Sequence, residues 1–178
     1  GRETDMPVQI SHAKLAMTDW WGQAGKLIAK LDRARADGVD VTLDIYPYDY
    51  WHSGLSVLWP ERNFDNRNVA EFILAHLTTP ANLRLVSFPP EPPLAGKTIA
   101  DIAKQKGADP VTVLMELARR ASDAGTGARI LSTSMDERDM IELMNWPYAN
   151  FCSDGALKGS HPRGAGAFPR VLGRYVRD

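Results

Sequence analysis

Three apolar stretches of the chain end in side chains that can bind a metal or move a proton. "PVQISH" ends at His12, "VDVTLDIY" ends at Tyr46, and "YANFCS" runs into Asp154. If these stretches are parallel strands, the three residues share one rim, because ligand sites of parallel α/β folds lie at the C-terminal ends of the strands. A histidine and an aspartate on the same rim imply metal ligation, general acid–base catalysis, or both. Each residue also has an ordinary reading. His12 suits a hydrogen-bonded core histidine, Asp154 before Gly155 suits a turn, and Tyr46-Pro47-Tyr48 suits packing at a strand end. Lys14 reads as a surface lysine, and Arg163, in "HPR", as the partner of an acid. Trp20, Trp21 and Trp51 offer either an aromatic binding surface or packing. His52 and His76 have no partner at metal-ligand spacing. Neither a GxS-type nucleophile motif nor a phosphate-binding glycine loop occurs.

The elements that would position these residues follow from pattern. After "PVQISH", the residues Ala24, Leu27, Ile28 and Leu31 have helical spacing within "WWGQAGKLIAKLDRARADG", and Gly38 supplies a stop. "VDVTLDIY" is rich in β-branched residues and reads as the next strand. Strand, helix and strand with short connections predict a parallel pair joined by a right-handed crossover. The rhythm then breaks in "PYDYWHSGLSVLWPERNFDN", which reads as a long aromatic connection. Val69, Phe72, Ile73 and Leu77 mark a helix, "NLRLVSF" a strand, and "PPEPPLAGK" a surface loop. Thr98 with Asp101, and Asp109 before Pro110, predict two helix starts. The second of these helices turns Val113, Leu114, Leu117 and Ala118 inward. "ARILST" reads as a strand, Ser134 with Glu137 as a capping box before "MDERDMIELMNW", and "YANFCS" as the last strand.

With 178 residues, the chain can bury one sizeable core, with room for an insertion. A formal net charge of −1 gives no electrostatic case for nucleic acid or an anionic membrane. No apolar run is long enough to cross a bilayer. The single cysteine, Cys152, excludes an internal disulfide framework and fits a reducing, cytoplasmic compartment.

Taken together, "VQISHAK", "VTLDIYPY", "SDG" and "HPRGAGAFPRVLGRYVRD" resemble the N-acyl-D-amino-acid deacylases, or D-aminoacylases, of the amidohydrolase superfamily. "GKTIADIAKQKGADPVTVLMELA" and "MDERDMIELM" are similar to the stretch ahead of that last motif. The resemblance implies a zinc-dependent (β/α)8, or TIM-type, amide hydrolase acting on small N-acyl amino acids. It implies His12 as a zinc ligand and Asp154 as the catalytic base and then acid. It places Lys14, Tyr46 and Arg163 around the substrate and its carboxylate. The chemistry agrees: an amide needs an activated water and a proton for its leaving amine, and a lysine and an arginine suit a free carboxylate.

A catalytic zinc usually takes three protein ligands, and this chain offers one placed histidine. A (β/α)8 barrel needs about 250 residues, and three barrel strands cannot close one. The expectation is therefore an α/β chain forming the C-terminal part of a barrel, with an inserted α/β subdomain. Residues 1–50 would be a strand–helix–strand unit, 51–132 mostly the insertion, and 133–178 the last helix and strand with the active-site loop. The remaining ligands would lie upstream of Gly1. On this reading the chain alone is inactive and tends to self-associate. Two alternatives stand beside it: a folded module that only binds itself or a partner, and another amidohydrolase acting on cyclic amides or peptides.

Overall fold

Apolar and polar residues alternate in "VTLDI", so one side of that strand must be covered and the other need not be. The computed structural model describes residues 1–156 and 159–177. In chain order its regular elements are β1 (Val8–Ile10), α1 (Ala24–Ala36), β2 (Val41–Ile45), β3 (Tyr50–Gly54), α2 (Arg67–Phe72), β4 (Leu83–Ser87), α3 (Ile99–Lys106), α4 (Pro110–Asp123), β5 (Arg129–Thr133), α5 (Glu137–Met144), β6 (Ala149–Phe151) and α6 (Arg163–Arg170). The chain divides into two compact units. One combines Gly1–Ala16, Trp20–Asp49 and Met135–Asp178; the other combines Met17–Asp19 and Tyr50–Ser134.

The first unit is built on a parallel sheet of order β1-β2-β6. Ile10 stands beside Leu43 in the register, and Ile45 beside Phe151. Val41, Leu43 and Ile45 are buried with Leu31 of α1 and with Met140 and Leu143 of α5. The other side of β2 carries Thr42 and Asp44. Helix α1 begins four residues after Trp20, later than the sequence pattern suggests, and Trp20 and Trp21 are exposed. Its first turn is capped by another element: the buried Asp139 of α5 accepts from the amides of Gly22 at 2.7 Å and Ala24 at 3.1 Å. Helix α5 starts at Asp136, whose side chain accepts from the Arg138 amide, and not at Ser134. The stretch after "HP", expected as a loop, forms α6 and a π-type turn over Val171–Arg177. Asp178, the last residue of the "HPR" motif, lies outside the described residues.

The second unit holds an antiparallel sheet of order β3-β5-β4. Strand β3 lies inside the aromatic stretch that reads as a connection. Leu83, Leu85 and Ile130 of the sheet are fully buried together with Val113, Leu114, Leu117 and Ala118 of α4. Each such leucine contributes roughly 1.5–3 kcal/mol by leaving water. Thr98 and Asp101 form the expected reciprocal capping box of α3, and Asp109 caps α4 ahead of Pro110. Helix α2 continues into a π-type turn to Leu77, and this changes the inward face. Ala70 and Ile73 are buried, whereas Phe72 is half exposed. Ser134 accepts a hydrogen bond from Trp51 Nε1 at 2.6 Å, which explains why it is not a helix cap.

Candidate active site

Parallel strands deliver their C-terminal residues to one edge, and in the first unit that edge is polar. His12 follows β1, Tyr46 follows β2, and Asp154 lies three residues after β6. His12 and Asp154 both have φ of +43°. Left-handed backbone is uncommon outside glycine and persists where the surroundings hold it. In each case it turns the chain out of the strand direction at the residue of interest.

All five residues singled out by sequence belong to one contact network. Lys14 Nζ lies 2.7 Å from His12 Nδ1 and donates to the His12 carbonyl at 2.5 Å. The same ammonium stands 5.1 Å from the centre of the Tyr46 ring, and the Arg163 guanidinium lies over that ring at 4.6 Å. Arg163 Nη1 pairs with Asp154 Oδ2 at 2.9 Å. Tyr46 is therefore a buried floor with two cations against it, and Asp154 is held by one of them. Arg163 is itself buried, yet among the described residues its Nε has no hydrogen-bond partner, and neither has the buried Tyr46 hydroxyl. Burial, opposed by Asp154 and assisted by Arg163, pushes the Lys14 ammonium down to about 8. Burial likewise drives the Tyr46 hydroxyl well above its ordinary value, so it stays protonated.

Several contributors were not legible beforehand. Gly155 and Gly164 bring the "SDG" and "HPRG" backbones into direct apposition: a Cβ on Gly155 would stand 2.2 Å from the Gly164 Cα. Only glycine permits this approach, and it is what sets Arg163 beside Asp154. His161 is buried, packs edge-on against Tyr46 and Tyr48, and accepts from the Arg163 amide at 3.0 Å through Nδ1. Asp44 and Cys152 lie behind His12. Burial raises the Asp44 carboxyl, but hydrogen bonds from the Cys152 thiol, the His12 amide and Gln9 outweigh it and hold the group below the usual carboxylate range. Burial and the same carboxylate push the Cys152 thiol up to about 12, so it is not a nucleophile near neutral pH. His52 and His76 belong to the other unit. His52 meets Arg129, and His76 Nδ1 pairs with Asp19 at 2.7 Å.

As a metal site the cluster is partial. Among the described residues, no three His, Cys, Asp or Glu side chains gather in a way that could hold an ion. Among the described residues, His12 is the one histidine at the three parallel strand ends. A neutral Lys14 would accept from its Nδ1–H and leave the Nε2 lone pair for a metal; a charged Lys14 would donate to Nδ1 and leave Nε2 protonated.

The geometry accords with what the chain resembles among known proteins. No family model matches it. It is 37% identical over 180 residues to an N-acyl-D-glutamate deacylase of Alcaligenes xylosoxydans xylosoxydans, covering 100% of this chain and 32% of the relative. It is 32% identical to a D-aminoacylase of the same organism, with the same shares covered. The relatives it matches are an N-acyl-D-glutamate deacylase and a D-aminoacylase. The crystal structure of N-acyl-D-glutamate deacylase from Bordetella bronchiseptica, complexed with zinc and a phosphonate inhibitor, superposes with a TM-score of 0.76. That match is 35% identical and covers 99% of this chain and 32% of the other. The chain thus spans about a third of the length of these deacylases, and its α/β fold is that of the matched third.

Proposed function

We propose that this chain furnishes part of the active-site rim of a zinc-dependent deacylase that removes the acyl group from N-acyl-D-amino acids. One observation carries the reading. His12, Lys14, Tyr46, Asp154 and Arg163, drawn from all three parallel strand ends and α6, form a single network. The parallel sheet is taken as a segment of a (β/α)8 barrel whose other strands lie elsewhere in the whole protein.

In this reading His12 is one zinc ligand, and further ligands come from outside the chain. When bound, zinc polarises an amide carbonyl and lowers the pKa of a water. The chain's own residues do the rest. Asp154 accepts the water proton on a carboxylate oxygen and returns it to the departing amine nitrogen. Arg163 and Lys14 hold the substrate carboxylate over Tyr46, the arginine through paired donors. Both cations face the same ring, so an anionic group between them is stabilised twice. By itself the chain is read as inactive, since one histidine does not make a catalytic zinc site.

The test is Asp154→Asn in the whole protein. General acid–base catalysis contributes typically ~10²–10⁴-fold, so turnover should fall by at least that factor with the fold and zinc content kept. Near-normal turnover would remove Asp154 from the mechanism.

A further inference from the structure

We propose that Asp44 is a positioning residue that brackets the ends of all three parallel strands and so sets the directions of His12 and Asp154. The inference rests on the reading of those two residues as site residues, but its test does not depend on turnover. Asp44 lies near the end of β2, the middle strand, on its polar side. Its Oδ1 accepts from the His12 amide at 2.5 Å, and its Oδ2 accepts from Gln9 Nε2 at 3.0 Å. Its backbone carbonyl accepts from the next amide, Ala13, at 2.7 Å. Two consecutive amides after β1 thus end on one residue.

The link to β6 runs through the adjoining residue, whose carbonyl, that of Ile45, accepts from the Cys152 amide at 3.0 Å. The Asp44 carboxylate also stands near the Cys152 thiol and, after burial, helps keep it protonated. Asp154 follows Cys152 by two residues. At His12, where the backbone is left-handed, the side-chain oxygen of Asp44 takes the amide, and the backbone bond to β2 resumes one residue later at Ala13. A carboxylate offers acceptors alone, one oxygen to the His12 amide and the other to Gln9, with a thiol nearby. An asparagine would turn its NH2 toward at least one of them. The role is distinct from substrate contact, because Asp44 acts through His12 and Cys152.

Nuclear magnetic resonance on the labelled 178-residue chain tests this. In the unmodified chain, a coupling across the hydrogen bond from the His12 amide nitrogen to the Asp44 side-chain carboxyl carbon is expected, and its absence would overturn the bracket. In Asp44→Asn, amide exchange at His12 should quicken roughly tenfold, the loss of one hydrogen bond to a charged group. Cys152 and Asp154 resonances should move with it. Thr42→Ser, which alters the same side of the strand and keeps the hydroxyl that donates to Gln9 Oε1, should leave all three unchanged. A folded Asp44→Asn chain with unaltered His12 exchange overturns the proposal. If that variant does not fold, the coupling in the unmodified chain decides. A bracket found intact in a whole protein without deacylase activity would defeat the functional reading alone.

Discussion

Arg163 Nη1 lies 2.9 Å from Asp154 Oδ2, joining the residue assigned to carboxylate recognition to the one assigned to proton transfer. A lysine cannot reproduce the paired donors of a guanidinium. Arg163→Lys in the whole protein is therefore expected to raise KM for N-acyl amino acids by ~10-fold or more, with a smaller change in kcat. Steady-state kinetics on an N-acyl amino acid and on its carboxamide analogue check this. An equal loss on both substrates would mean that Arg163 does not read the carboxylate.

Gly155→Ala should loosen the site without touching any reactive group. The new Cβ meets backbone at 2.2 Å and 2.7 Å, and neither atom can swing aside. Overpacking of this kind costs about 1–3 kcal/mol. Gly127→Ala is the control, since nothing lies within 4 Å of its Cβ position, and a surface change there stays within about 0.5 kcal/mol. Chemical denaturation of both variants measures the difference, and equal midpoints would refute the close approach.

Acid should weaken both units through their helix caps. The Asp101 carboxyl is held below its usual range by the Thr98 amide and hydroxyl, Asp109 by Arg67 and the Thr112 amide, and Asp136 by Arg138. A carboxyl with a lowered folded-state pKa contributes stability that is fully present above its unfolded value of about 4 and is lost as pH falls through the folded value. Denaturant midpoints should be level from pH 7 to about 5 and decline below about 4. The double variant Asp101→Asn, Asp109→Asn should show a shallower decline, and an unchanged slope would sink this account.

Self-association is expected of the chain at micromolar concentration. Among the described residues, β1 and β6 have no outer neighbour in their sheet. Phe151 is exposed, as are Phe168, Leu172 and Val176, which recur every four residues along α6 and the turn after it. Unpaired strand edges and an apolar stripe both favour pairing with another chain. Sedimentation velocity distinguishes a clean monomer, which contradicts this expectation, from an associated species.

What the sequence disclosed depended on whether a feature is local. β1, β2 and β6 were legible because a short, largely apolar run, β-branched in β1 and β2, leads into a polar residue, and that pattern led directly to His12, Tyr46 and Asp154. The caps at Thr98 and Asp109 were legible because each motif closes within four residues. β3 was not, since every residue from Tyr50 to Gly54 is half-buried and shows no alternation. α6 was hidden by Gly164, Gly166 and Pro169, residues of poor helical propensity. Gly164 and Gly166 are required there by the close approach of Ala156 and Tyr48, contacts that only the folded chain reveals. Asp44 reads as an ordinary polar residue of a strand, because its partners stand 32 and 35 residues away.

The Met135 amide donates to the Asp49 carbonyl at 3.2 Å, so the first unit closes on itself where the long segment of the second leaves and returns. That segment in turn begins and ends on neighbouring strands, with Tyr50 beside Thr133. Such an arrangement behaves as a cassette. Its two ends occupy adjacent positions in the host, and a tight turn could replace everything between them. The strand ends that carry His12, Tyr46 and Asp154 all belong to the host segments and lie outside the cassette in the chain.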